Sequence, residues 1–292
     1  MEVNNSKKRV GILRGGAGKH YVSSLKKGGE IISHISKNLA DKYKVFDILI
    51  DPKGFWHING IPIMPADLIR KVDLIWNASH PGFSNILKNL SIPNVGVSFF
   101  SWMLVNNQDM LRTHLTQIGV SMPRHIIFPK SAREVFEKFS SPWIVRSLGS
   151  DSDMGVHLAK TFKELIDALE DGVKHQTSIL VEEFISGKVA SVHSVPSFRG
   201  ENIYIFPVWN VFGNLSPTEK EKLSNIAKDL HSHLGAKHYL KSSFVLNKRG
   251  KVYLLNIDST LDPREDSYFS KVCESVGTQM HQVIEHILEQ AE

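Results

Sequence analysis

Asn256 and Asp258 place an amide and a carboxylate two residues apart at the end of the apolar run Val252-Tyr-Leu-Leu-Asn-Ile-Asp258. Residues i and i+2 of a strand share a face, so the two side chains can converge on one ion. Both offer hard oxygen donors of the kind magnesium accepts, the other coordination positions being filled by water and substrate phosphates. The polar loop Ser259-Thr-Leu-Asp-Pro-Arg-Glu-Asp266 follows directly, and its Asp262 is a further candidate ligand.

Other segments carry complementary chemistry. Arg146-Ser-Leu-Gly-Ser-Asp-Ser-Asp-Met-Gly155 opens with a fixed cation and continues as a glycine-containing polar loop. In a phosphate-binding hairpin the cation meets one phosphate while small residues fold over the others. Asp151 and Asp153 oppose that reading, since each carboxylate beside a phosphate repels it by roughly 1 to 4 kcal/mol. Phosphate contact and an ordinary surface hairpin both stand. Glu182-Glu-Phe-Ile185 offers apolar side chains and linker backbone to a base such as adenine, the alternative being charges that simply end a strand in solvent. His80, in Asn77-Ala-Ser-His-Pro-Gly82, falls at the carboxyl edge of a strand, where parallel sheets bind ligands; a loop hydrogen-bonding role is its plain alternative. Gly15-Gly-Ala-Gly18 suits either anion approach or a tight strand-to-helix turn, and its spacing is neither a dinucleotide fingerprint nor a P-loop. The single cysteine, Cys273, sits in a helical pattern as a packed thiol. The 14 histidines, among them His231 and His233, show no zinc-ligand spacing.

These segments need elements to hold them. Strand and helix alternate over the first third: strands near 9–13, 44–50, 72–76 and 94–98, and a helix near 23–42 whose Ile31, Ile35 and Leu39 form one apolar stripe. That alternation predicts an open parallel sheet, with Asn59-Gly60 turning an added hairpin. A second, α+β unit reads as a helix over 106–118, strands at 125–128, 143–146 and 179–184, and helices opened by the capping boxes Ser131-Ala-Arg-Glu134 and Thr161-Phe-Lys-Glu164. A third holds strands near 189–198, 202–209, 239–246 and 251–258, a helix from Pro217 to Gly235 and a C-terminal helix over 267–290. The expected domains are 1–105, 106–186 and 187–292.

The 292 residues, 41% hydrophobic and 22% charged, can bury a large core. The net charge of +5 and pI near 9.1 come from dispersed lysines and arginines without a basic run interleaved with aromatics. They favour small anions such as nucleotides over nucleic acid. No apolar run reaches the roughly 20 residues of a membrane helix, and the first residues lead straight into a strand. The expectation is a cytoplasmic chain with neither membrane nor nucleic acid as partner, and one cysteine agrees with a reducing compartment.

The order of these pieces resembles the ATP-grasp superfamily, most closely the D-alanine–D-alanine ligases, over nearly the whole chain. Val10-Gly-Ile-Leu-Arg-Gly-Gly16 resembles that family's first strand and glycine turn, Ser79-His-Pro-Gly82 its His-Pro segment, and Gln117-Ile-Gly-Val-Ser-Met-Pro-Arg124 its entry to the central domain. Trp143-Ile-Val-Arg146, Leu180-Val-Glu-Glu-Phe-Ile-Ser-Gly187 and Tyr253-Leu-Leu-Asn-Ile-Asp258 resemble its phosphate, adenine-side and metal-binding strands. The resemblance implies an α/β fold: an N-terminal open parallel sheet of pre-ATP-grasp type, then a two-subdomain α+β ATP-grasp fold. It implies ATP with magnesium as cofactors and a D-amino acid substrate whose carboxylate is joined to an amine through an acyl phosphate. A homodimer is a candidate assembly. Carried over residue by residue, Arg146, Gly155, Glu182, Glu183, Phe184 and Ile185 would hold the nucleotide, Asn256 and Asp258 the metal, and Lys241, Ser152 and His20 the reacting groups.

Several matched positions depart from the family pattern. His20 stands for a glutamate, Val189 for a ribose-binding glutamate, and Asn107-Gln108 for Asp-Lys. Lys241-Ser-Ser243 stands for Arg-Ile-Asp, and the segment from Pro207 to Ser216 is short beside the family's closing loop. A catalytically impaired protein that binds a nucleotide or a partner is therefore the alternative reading.

Overall fold

The structure, a computed structural model, describes residues 6–18, 20–96, 102–103, 107–148 and 154–291, apart from the side chains of 108 and 109. Three sheets organise it. In the first, β1 (Lys8–Gly15) runs between and parallel to β2 (Tyr43–Ile50) and β5 (Leu74–Asn77), with β6 (Asn94–Val95) beyond β5. The hairpin β3 (Trp56–Ile58) and β4 (Ile61–Ile63) extends it antiparallel from β2. Its turn residues Asn59 and Gly60 have φ of 49° and 82°, the positive pair that a two-residue turn needs. The apolar stripe of α1 (Tyr21–Asn38) buries Ile31 and Ile35 on this sheet. A short helix absent from the sequence expectation, α2 (Phe83–Asn89), follows the His-Pro segment.

α3 (Gln108–Gln117) starts at Asn107, whose side chain caps it by accepting from Met110 N at 3.0 Å. The second sheet is fully antiparallel, in the order β7 (His125–Ile127), β10 (Ile179–Glu183), β8 (Trp143–Ser147), β9 (His157–Ala159). α4 (Ala132–Lys138) and α5 (Phe162–Lys174) cover it. As the capping boxes required, Ser131 and Thr161 accept from the backbone N–H of Glu134 and Glu164 at 3.2 Å.

In the third sheet β11 (Gly187–Pro196) pairs β12 (Ile203–Ile205), β13 (Trp209–Phe212) and β14 (Leu240–Asn247), and β14 pairs β15 (Val252–Asp258), all antiparallel. The single strand expected over 202–209 is two, because Pro207 has no N–H to continue the ladder. α6 (Pro217–Leu234) has the full capping box of Ser216 and Glu219 and ends at Gly235 in the left-handed conformation, φ 57°. The expected C-terminal helix is also two: α7 (Tyr268–Ser275) stops at Gly277, φ 66°, and α8 (Met280–Glu289) starts afresh.

Two cores tie these sheets together. One joins Val10, Ile12 and Trp76 of the first sheet and Ile31 and Ile35 of α1 to Phe269, Val272 and Cys273 of α7 and Val283, Ile284 and Ile287 of α8. Each fully buried aliphatic side chain there stabilises the fold by roughly 1.5 to 3 kcal/mol. The chain's end is thus packed against its beginning, and the walls between the first and third sheets are fixed. Cys273 is a packed thiol in this core, its pKa pushed up to about 12 chiefly by burial. In the other, Leu111 and Leu115 of α3 pack among Leu223, Leu230 and Leu254 of the third unit.

Candidate functional site

At the carboxyl edge of the parallel sheet, the loops after β1 and β5 are bonded to each other. Ser79 Oγ donates to Gly15 O at 2.6 Å, and Ser24 Oγ accepts from Gly15 N and donates to Ala78 O, both at 2.9 Å. Gly15 has φ +86°, and a Cβ there would sit 2.2 Å from Ile50 O, so only glycine fits. His80 Nδ1 accepts from Gly82 N at 3.0 Å, which leaves the ring N–H of the neutral side chain on Nε2. Its ring stands 6.5 Å from that of His20, at the start of α1, and 4.9 Å from that of Trp102. His20 is held below the usual histidine range by burial, then by His80 and Lys27.

The second sheet contributes β8, β10 and the linker to β11. Arg146 and Glu182 sit diagonally across the β8–β10 ladder, and Arg146 Nε donates to Glu182 Oε2 at 2.8 Å. Glu182 is 8% exposed, so this is a mostly buried ion pair. Glu183 is gripped by both Nε and Nη2 of Arg124, at 2.8 and 3.1 Å, and that bond places its carboxyl below the usual range. Backbone bonds from Glu183 N to Arg124 O and from Phe184 N to Pro142 O fix the linker at 2.8 and 3.1 Å.

Register in the third sheet builds two rows across β11, β14 and β15: Ser191, Ser243 and Asn256, then His193, Lys241 and Asp258. Opposite residues share a face, so the six side chains lie on one surface. A bulge between Ser243 and Phe244, which pairs Phe244 with Leu254 and leaves Leu255 over, decides which surface that is. Val252 and Leu254 are buried before it and Ile257 after it, so the core-facing parity changes from even to odd. Continued without the bulge, the alternation would send Asn256 and Asp258 into the core with Leu254.

Asp258 Oδ1 accepts from Thr260 N at 2.8 Å. Ser243 Oγ bonds Ser191 Oγ at 3.1 Å. His193 Nδ1 and the Tyr239 hydroxyl are 2.7 Å apart, and the imidazole stacks on Phe269 at 4.6 Å. Burial, then the charge of Lys241, lowers His193 to about 3, so it stays neutral. Tyr239 is pushed well up by burial and by the charges of Asp258 and Asp262. Asp262 itself is engaged by Arg264 at 2.8 and 2.9 Å: burial pushes its carboxyl up, and the bonds from Arg264 more than offset that.

The three surfaces enclose one cavity of about 900 Å³. His20, Arg146, Glu182, Glu183, Phe184, Ile185, Asn256 and Asp258 all line it. Lys241 does not, standing beside Asp258 in the ladder, and Gly155 does not, although its neighbour Val156 does. Ser152, with Asp151 and Asp153, lies outside the described residues. Val189 turns an alkyl group to the cavity. Lining residues that the sequence reading passed over include Lys27, Lys237, His238 and Tyr239. For Lys27 a signal existed: His20, Ser23, Lys27 and Ile31 recur at helical spacing and all line the cavity.

The family model for the D-Ala D-Ala ligase C-terminus matches residues 120–208, which hold β8, β10 and the linker. The D-alanine–D-alanine ligase of Christiangramia forsetii is 20% identical, with 98% of each chain covered. That of one Clostridium botulinum strain is 28% identical over 61% of this chain and 58% of its own length. The chain is thus similar to D-alanine–D-alanine ligases over nearly its whole length, with the family model matching its middle part. Solved structures agree in fold. The Bacillus anthracis D-alanine–D-alanine ligase complexed with ATP superimposes with a TM-score of 0.76 at 19% identity, covering 97% of this chain and 96% of that one. The VanG D-Ala:D-Ser ligase of Enterococcus faecalis gives 0.76 at 15%, covering 98% and 99%. The ATP-grasp arrangement expected from the resemblance is therefore the fold of this chain. Among the described residues no helix is long and apolar enough to cross a membrane.

The donor set constrains any metal in this cavity. Among the described residues no group of three or more His, Cys, Asp or Glu could hold an ion. Asn256 with the second oxygen of Asp258 is a partial set, which suits one magnesium completed by nucleotide phosphates and water but not an all-protein cage.

Proposed function

We propose that the chain is an ATP-dependent carboxylate–amine ligase. The observation that carries this reading is the single cavity into which the linker, Arg146, His20, Asn256 and Asp258 all open. Groups held by these residues would be neighbours, and ligation needs the nucleotide, the metal and the acid together. In this reading Phe184 and Ile185 take the adenine. Arg146, its Nε bound to Glu182, is oriented by that pair and keeps its Nη donors for a phosphate. Asn256 and Asp258 hold magnesium, which when bound neutralises phosphate charge.

The acid's carboxylate oxygen attacks the γ-phosphorus, the bond to the β-phosphate oxygen breaks, and ADP leaves. The amine then attacks the acyl carbon, inorganic phosphate leaves, and the amine proton passes to solvent or to a base lining the cavity. Lys241, paired with Asp258 in the ladder, adds positive potential behind the metal position.

One observation favours a second reading, a nucleotide-binding protein without ligase activity. Ser243 stands where the family pattern has a metal carboxylate, and its hydroxyl is spent on Ser191. Calorimetry with ATP and magnesium, followed by ADP release in the presence of paired acids and amines including D-alanine, decides between them. Absence of nucleotide binding at millimolar concentration would sink both, and binding without ADP release across the series would select the second.

A further inference from the structure

The cavity is not electrostatically uniform. Glu182 and Glu183 line the wall formed by the second sheet and have arginine partners there, and Asp258 lies on the third sheet. The end bounded by α1 is different. His20, Ser23 and Lys27 project from one face of that helix, three and four residues apart, and His80 closes the opposite side from the loop after β5. Lys27 acts electrostatically on both His20 and Asp262, and the Asp262 carboxylate is already held by both Nε and Nη2 of Arg264. The groups offered to a ligand at this end thus include the Lys27 ammonium and the imidazole N–H on His80 Nε2.

We infer that the α1 end of the cavity takes an anionic group, so that the acid bound here is a dicarboxylate or similarly doubly acidic molecule rather than an amino acid bearing an ammonium group. An ammonium placed there would meet Lys27 as a like charge. A carboxylate would meet it as an opposite charge and would accept from His80. The lowered titration of His20, caused after burial by His80 and Lys27, agrees with three basic groups crowding one another. This inference rests on the ligase reading for what happens to the acid's other carboxylate, but not for the binding itself.

The test is calorimetry of the full chain with succinate, D-malate and D-alanine in turn, with and without the non-hydrolysable β,γ-imido analogue of ATP and magnesium. Succinate or D-malate is expected to bind at least ten-fold more tightly than D-alanine. The charge reversal Lys27→Glu should weaken the dicarboxylates at least ten-fold and strengthen D-alanine, a swap that a merely structural role would not produce. The wild-type comparison needs no variant, and Lys27→Met serves if the reversal does not fold. D-alanine binding as tightly as the dicarboxylates, or Lys27 variants that leave the preference unchanged, would overturn the inference. A nucleotide that fails to bind while succinate still does would overturn the ligase reading and leave this one standing.

Discussion

Acidification from about pH 7.5 to about pH 5 should remove roughly 4 kcal/mol of folding stability through two buried histidines. His193 and His231 are each 2% exposed, and burial lowers them to about 3 and about 4. Their unfolded values lie near 6.5, so between 6.5 and 4 the unfolded chain binds protons that the folded chain refuses. The unfolded state holds more protons in that window, so stability rises with pH across it. At about pH 5 each side chain is some 1.5 units below its unfolded value and still above its folded one, which costs about 2 kcal/mol apiece at 1.36 kcal/mol per unit.

The carboxylates held low by partners, such as Glu183 and Glu219, lose their contribution only as pH falls below about 4.5, so they leave this window clear. Urea unfolding at both pH values, in wild type and in His231→Leu, measures the effect. Ser194 keeps its bond to Leu240 O in that variant. The wild type should lose about 4 kcal/mol and the variant about 2. A variant that loses as much as the wild type would show that His231 is not the group responsible.

Other perturbations act nearer the cavity. Asp258→Ala should abolish any magnesium-dependent gain in nucleotide affinity measured by calorimetry; an undiminished gain would remove Asp258 from the metal role. Glu182→Gln replaces the mostly buried carboxylate that faces Arg146 with a neutral amide, and should cost about 2 kcal/mol in denaturant unfolding as well as weakening nucleotide binding. Gly15→Ala forces a Cβ to within 2.2 Å of Ile50 O at φ +86°, so a loss of about 3 kcal/mol or more is expected in thermal unfolding.

Much of the secondary structure was legible because its causes are local. Ser131, Thr161 and Ser216 cap helices through bonds to residues three positions on, and Asn59-Gly60 turns a hairpin with its own φ angles. The C-terminal helix was misjudged even though its break is also local, since Gly277 was a visible stop signal inside an otherwise helical pattern. The missed division of the strand at Pro207 is of the same kind.

The sequence by itself determined that Asn256 and Asp258 share a face. It could not say which face, because the β14–β15 bulge at Leu255 is a property of how two strands pair and reverses the parity that alternation would extend from Leu254. Tertiary structure alone decided that Arg146 would be bound by Glu182, that His193 would stay neutral beside Lys241, and that α1 would turn Lys27 toward a cavity shared by three sheets. Each of these depends on groups far apart along the chain that meet only when separate elements pack, and the energy of a charge or a donor is fixed by what it meets.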